Sequence, residues 1–162
     1  MARILPIAEE HIDGFRTAVD SVARERRFLA LLEAPAEADV RKYARQNITD
    51  HVPHFVALVE GKVVGWCDIA LKPRPLLRHS GVLGMGVLSD YRGQGIGRAL
   101  LEAALQAAKA KGISRIELTV RVDNERAKRL YESFGFVTEG LCRRHMRVDG
   151  EFKDSWLMAL LP

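Results

Sequence analysis

The chain has 162 residues, 48% hydrophobic and 28% charged, which suits one globular domain over residues 1–162 and excludes a disordered or fibrous protein. Its 25 basic and 21 acidic residues leave a formal net charge of +4, a mild excess that fits a small anionic ligand better than a nucleic acid. No apolar run reaches the roughly 18 residues of a membrane span, the N-terminus lacks a secretory stretch, and Cys67 and Cys142 are too few for a disulfide framework or a cysteine-based zinc site. A cytoplasmic protein without a metal is expected.

Arg3 to Ile7 reads as a short first strand. Ile12, Phe15, Val19, Val22 and Ala23 then recur at three- and four-residue steps, which predicts a helix from Glu9 to about Arg27 with one buried face. A second helix is expected from Ala36 to Ile48, behind the break at Pro35, with Glu37 and Asp39 in the first turn where the helix dipole favours negative charge. Phe55 to Val59 and Val63 to Ile69 form a hairpin across the turn Glu60-Gly61-Lys62. Trp66, on the second of these strands, is either core or the floor of an acceptor site.

After a loop begun by Pro73 and Pro75, a strand runs from Val82 to Leu88 with Gly81, Gly84 and Gly86 in or beside it. Glycine weakens a strand unless a bulge or a close backbone approach requires it, so this segment points to function. A helix follows from about Ile96 to Lys111, with Gly112 just after it, then an alternating strand from Ile116 to Val120. Asp123 and Asn124 are N-cap candidates for a helix that Gly135 ends. Two terminal strands, about Val137–Met146 and Phe152–Leu160, meet at the turn Asp149-Gly150. The order predicts an α/β protein with a mixed, largely antiparallel sheet carrying one parallel junction.

The chemistry concentrates in Arg92-Gly93-Gln94-Gly95-Ile96-Gly97. A glycine-rich turn that opens a helix offers unpaired amides and the positive end of a dipole, a combination that binds phosphate. It is no Walker A loop, because the only Gly-Lys pair, Gly61-Lys62, is followed by Val63 in a hairpin turn. It is a poor dinucleotide fingerprint, because Arg98 stands where the third glycine belongs and no acid closes the following strand. His51 and His54 suggest a metal pair, but Pro53 interrupts them and no third ligand is apparent.

The spacing Arg92-x-x-Gly95-x-Gly97, behind Leu83-Gly84-Met85-Gly86-Val87 and ahead of Asn124, Ala127 and Tyr131 to Phe136, resembles the GNAT superfamily of acyl-CoA-dependent N-acyltransferases. The resemblance covers about residues 53–162. It implies a three-layer α/β fold: a twisted sheet of about seven strands, helices on both faces, and a V-shaped splay between the two central strands. It also implies acetyl-CoA as cosubstrate. The pyrophosphate would lie over the amides of Gly93, Gln94, Gly95, Ile96, Gly97 and Arg98, with Arg92 or Arg98 adding charge. Met85, Gly86 and Val87 would line the pantetheine, and the Val87 N–H would polarise the thioester carbonyl. Asn124 and Ala127 match cofactor-contacting positions, and Tyr131 matches the tyrosine that protonates the departing thiolate.

An alkylammonium is neutral in only about one molecule in 2,500 at pH 7, so the acceptor amine must also lose a proton. The family often carries a glutamate on a central strand. Here those positions read as Gly81 and Thr119, leaving His79, Glu117 or no dedicated base. The expected function is acetyl transfer to a primary amine of a small molecule or amino acid in a ternary complex, with a homodimer possible. A protein N-terminus or a polyamine is the alternative acceptor, and a CoA-binding module without catalysis is the alternative function.

Overall fold

The computed structural model describes residues 1–162. Seven strands, β1 (Arg3–Pro6), β2 (His54–Val59), β3 (Lys62–Leu71), β4 (Ser80–Val87), β5 (Arg115–Arg121), β6 (Val137–Val148) and β7 (Glu151–Leu160), form one sheet in the order β1-β2-β3-β4-β5-β7-β6. The helices are α1 (Ile12–Arg24), α2 (Glu37–Thr49), α3 (Ile96–Ala110) and α4 (Glu125–Ser133). The parallel junction expected from the element order lies between β4 and β5, which pair Ser80–Val82 with Arg115–Glu117. The pairs β1–β2, β2–β3, β5–β7 and β6–β7 are antiparallel. No helix is long and apolar enough to cross a membrane.

The first helix is shorter than its apolar spacing predicts. Glu9–His11 form a separate 3-10 turn, and α1 stops at Arg24 because Arg26 turns into the left-handed region at φ 56°. The glycine-bearing strand begins two residues before Val82, and β6 extends beyond Met146 to Val148.

The chain divides into two compact units. One comprises residues 1–70 and 84–112. Its core brings Phe15, Val19 and Val22 of α1 and Val40 and Ala44 of α2 against Val56 and Trp66 of the sheet. Trp66 and Asp68 alternate with Gly65 and Cys67, so the two pairs point to opposite faces of β3. A Cβ on Gly65 would stand 3.1 Å from Leu100 of α3, which puts that pair toward α3 and Trp66 toward α1. The other unit comprises residues 71–83 and 113–162, with Ile116, Leu118, Met158 and Phe136 among its buried residues. The chain passes between the units three times: at the end of β3, within β4 and just before β5.

Candidate active site

The glycine loop follows a 3-10 turn, Ser89–Tyr91. Gly95 is the N-cap of α3 and adopts φ +82°, a conformation that costs a residue with a β-carbon about 1–2 kcal/mol. No side chain caps this end, and Ala99 is the residue whose N–H returns to the Gly95 carbonyl, at 3.0 Å. The helix therefore begins with backbone donors at the positive end of its dipole and no acidic residue in its first turn. Buried Ile96 anchors that turn in the core.

Arg92 has a different task from the one its position suggests. Its guanidinium grips Glu25, just after α1, at 2.9 and 2.6 Å. Its Nε donates to the Val87 carbonyl at 2.8 Å, and its Cζ lies 4.7 Å from the Phe28 ring centroid. Arg92 thus ties the loop to the end of β4 and to α1. On β4 itself, a Cβ at Gly86 would overlap the Trp66 indole, so glycine is required there by close approach of an aromatic ring. Met85, Gly86 and Val87 are all half-buried.

In the second unit, the Asn124 side chain accepts from the Ala127 N–H at 3.3 Å, which makes it the N-cap of α4. Tyr131, on α4, is 8% exposed, and its ring centroid lies 5.7 Å from that of Phe136. His79 is exposed before the start of β4, and its carbonyl accepts from the N–H groups of Ser114 and Arg115. Glu117 is held by two cations: Lys72 pairs with one carboxylate oxygen, and Arg115 Nε reaches the other at 3.0 Å. Burial pushes the Glu117 carboxyl up, but Lys72 and Arg115 outweigh it and hold the group below the usual range. A carboxylate so committed is a weak proton acceptor.

A polar cluster that the sequence did not single out lies in the first unit. The Tyr43 hydroxyl of α2 donates to Asp68 Oδ2 on β3 and is itself hydrogen-bonded by Asn47. Asn47 Nδ2 stands 3.1 Å from His54 Nδ1, so that ring nitrogen accepts and the proton sits on Nε2. His54 is 2% exposed, and burial lowers its pKa to about 3, so the imidazole is neutral. Burial raises the Asp68 carboxyl to about 6 against the lowering effect of Tyr43 and its own backbone amide. The sequence clue was a charged residue in the apolar run Val63 to Ile69. Cys67, fully enclosed beside it, has its thiol pushed well up and is inert.

A model described as the acetyltransferase (GNAT) family matches residues 17–136. The chain is 31% identical over 129 residues to an L-amino acid N-acetyltransferase of Escherichia coli, covering 79% of this chain and 80% of that protein. It is 42% identical over 114 residues to an N-alpha-acetyltransferase of Sulfurisphaera tokodaii, covering 65% of this chain and 66% of that protein. Among solved structures, it superposes at a TM-score of 0.93 on YncA from Salmonella typhimurium with its cofactor acetyl-CoA, at 16% identity over 99% of this chain and 94% of that one. With the family match spanning most of its length and an uncapped, glycine-opened helix where that family's motif falls, the chain belongs to the GNAT acetyltransferases.

Proposed function

We propose that the protein transfers the acetyl group of acetyl-CoA directly to a primary amine of an amino acid or another small molecule within a ternary complex. The observation that carries this reading is the start of α3, where left-handed Gly95 opens an uncapped helix in a GNAT chain. The amides from Gly93 to Arg98 receive the pyrophosphate, and Arg92 fixes their loop through Glu25. The backbone of Met85, Gly86 and Val87 holds the pantetheine, and the Val87 N–H stabilises the oxyanion as it forms. Asn124 orients the first turn of α4, and Tyr131 gives its proton to the departing thiolate. An amino acid acceptor is favoured by the similarity to the L-amino acid N-acetyltransferase. The archaeal relative supports a second reading, a peptide N-terminus.

Calorimetric titration with acetyl-CoA, followed by thiol-release assays on L-amino acids, an alanine-starting peptide and spermidine, tests the proposal. Micromolar acetyl-CoA binding and turnover of at least one amine are expected. Gly95→Val should weaken acetyl-CoA binding about tenfold or more, because the new residue resists the left-handed N-cap. No heat at millimolar acetyl-CoA would overturn the reading. Tight binding without acetylation of any amine would point to a CoA-binding module instead.

A further inference from the structure

Asp68 is the least expected charge in the first unit. Its side chain comes from the middle of β3, among apolar neighbours, and it is 8% exposed. A buried carboxylate normally has a cation within reach, because leaving water costs it several kcal/mol. Here the groups acting on it are the Tyr43 hydroxyl and its own backbone amide, and no cation is among them. Tyr43 is held from behind: Asn47 bonds its hydroxyl oxygen, so the phenolic proton points to Asp68. Tyr43, with Asn47 behind it, therefore fixes one carboxylate oxygen while no positive charge balances the group.

The other oxygen faces the neighbouring strand. A Cβ at Gly84 of β4 would lie 3.5 Å from Asp68 Oδ1, so a longer side chain at that position would cover this oxygen. Two residues along the same face of β4, Gly86 is bare for the Trp66 indole. The result is a carboxylate oxygen and an indole side by side along a strand stretch without side chains. Gly84 and Gly86 themselves are half-buried rather than closed off. A carboxylate oxygen that no cation balances is a receptor for an alkylammonium.

We propose that Asp68, steadied by Tyr43 and facing Gly84 of β4, binds the ammonium of the acceptor and takes a proton from it. This inference rests on the acetyltransferase reading above. The ammonium gives one proton to Asp68, and the freed lone pair forms the C–N bond at the thioester carbon. The C–S bond then breaks and its electrons leave on the CoA sulfur. After the C–N bond forms, the nitrogen loses its second proton to solvent. Tyr131 protonates the sulfur and regains a proton from solvent, and Asp68 releases its own, so one proton leaves per turnover. Tyr43 is a positioning residue.

The test is Asp68→Asn, near in shape and without charge. Acetyl-CoA affinity, measured by calorimetry, should stay within about twofold of the wild type, which also reports that the variant is folded. On the L-amino acid that the wild type acetylates fastest, kcat/KM should fall about a hundredfold, with KM rising and kcat falling. Tyr43→Phe should lower kcat/KM about tenfold with acetyl-CoA affinity again unchanged. If Asp68→Asn binds acetyl-CoA and acetylates as the wild type does, the Asp68 role is overturned while the acetyltransferase reading stands. If Asp68→Asn loses acetyl-CoA binding while Tyr43→Phe keeps both binding and full turnover, Asp68 is structural and the inference fails. If the wild type binds acetyl-CoA but acetylates no amine, both readings fall together.

Discussion

Two carboxylates on different strands, one in each compact unit, show how far surroundings decide chemistry. Glu117 of β5 sits between Lys72 and Arg115, which hold it ionised and satisfied. Asp68 of β3 meets only a phenol and an amide of its own backbone, and burial raises it to about 6. Glu117 is therefore a structural anion, neutralised within its own unit, whereas Asp68 is a charge awaiting a partner. Sequence position alone pointed to the former, because it shares a face with Thr119.

The sharpest way to break this contrast is to remove each charge in turn. Asp68→Asn should lower kcat/KM about a hundredfold, as argued above, whereas Glu117→Gln should stay within about threefold in the same assay. Tyr43→Phe ranks next, at about tenfold. It should also move the acid limb of the pH profile of kcat/KM upward from about 6, because the Tyr43 hydroxyl lowers the Asp68 pKa.

Stability should separate the same residues with opposite signs. The folded-state pKa of Asp68 is raised from 3.8 to about 6, so the fold binds that proton more tightly than the unfolded chain does. Its contribution therefore declines as pH rises from about 4 to about 6 and is flat above, a loss of up to about 3 kcal/mol. Asp68→Asn should accordingly raise the urea midpoint at pH 7 while it lowers activity. The folded-state pKa of His54 is depressed from 6.5 to about 3, so its cost grows as pH falls below about 6.5. The two slopes oppose each other between about pH 4 and 6. Over that range the stability of Asp68→Asn, measured by urea titration, should then rise with pH more steeply than that of the wild type. The smallest effect is that of Glu117→Gln on stability: a slight drop in urea midpoint at pH 7, since its folded pKa is lowered.

Much of the fold was legible from local pattern. Alternation in Ile116 to Val120, the three- and four-residue steps in α1 and the helix stop at Gly112 each rest on neighbours in the chain, and the structure keeps them. The start of α3 was legible for the same reason, since a glycine turn before a helix is a local signal. Long-range pairing was not. Nothing near Arg92 announces that Glu25, far earlier in the chain, will claim its guanidinium, and nothing near Gly86 announces the Trp66 ring. The Asp68 cluster draws on α2, β2 and β3, so spacing along the chain could not reveal it. The spacing of His51 and His54 already argued against a metal pair, but not that His54 would lie buried against Asn47.

The most direct measurement is the titration of the Asp68 carboxyl carbon by 13C NMR, assigned with the Asp68→Asn variant. The account expects a midpoint near 6 in the free protein. With CoA and an acetylatable L-amino acid present, the midpoint should fall by a pH unit or more as the ammonium settles beside the carboxylate. A midpoint near the ordinary value of 3.8, unmoved by the amine, would contradict it.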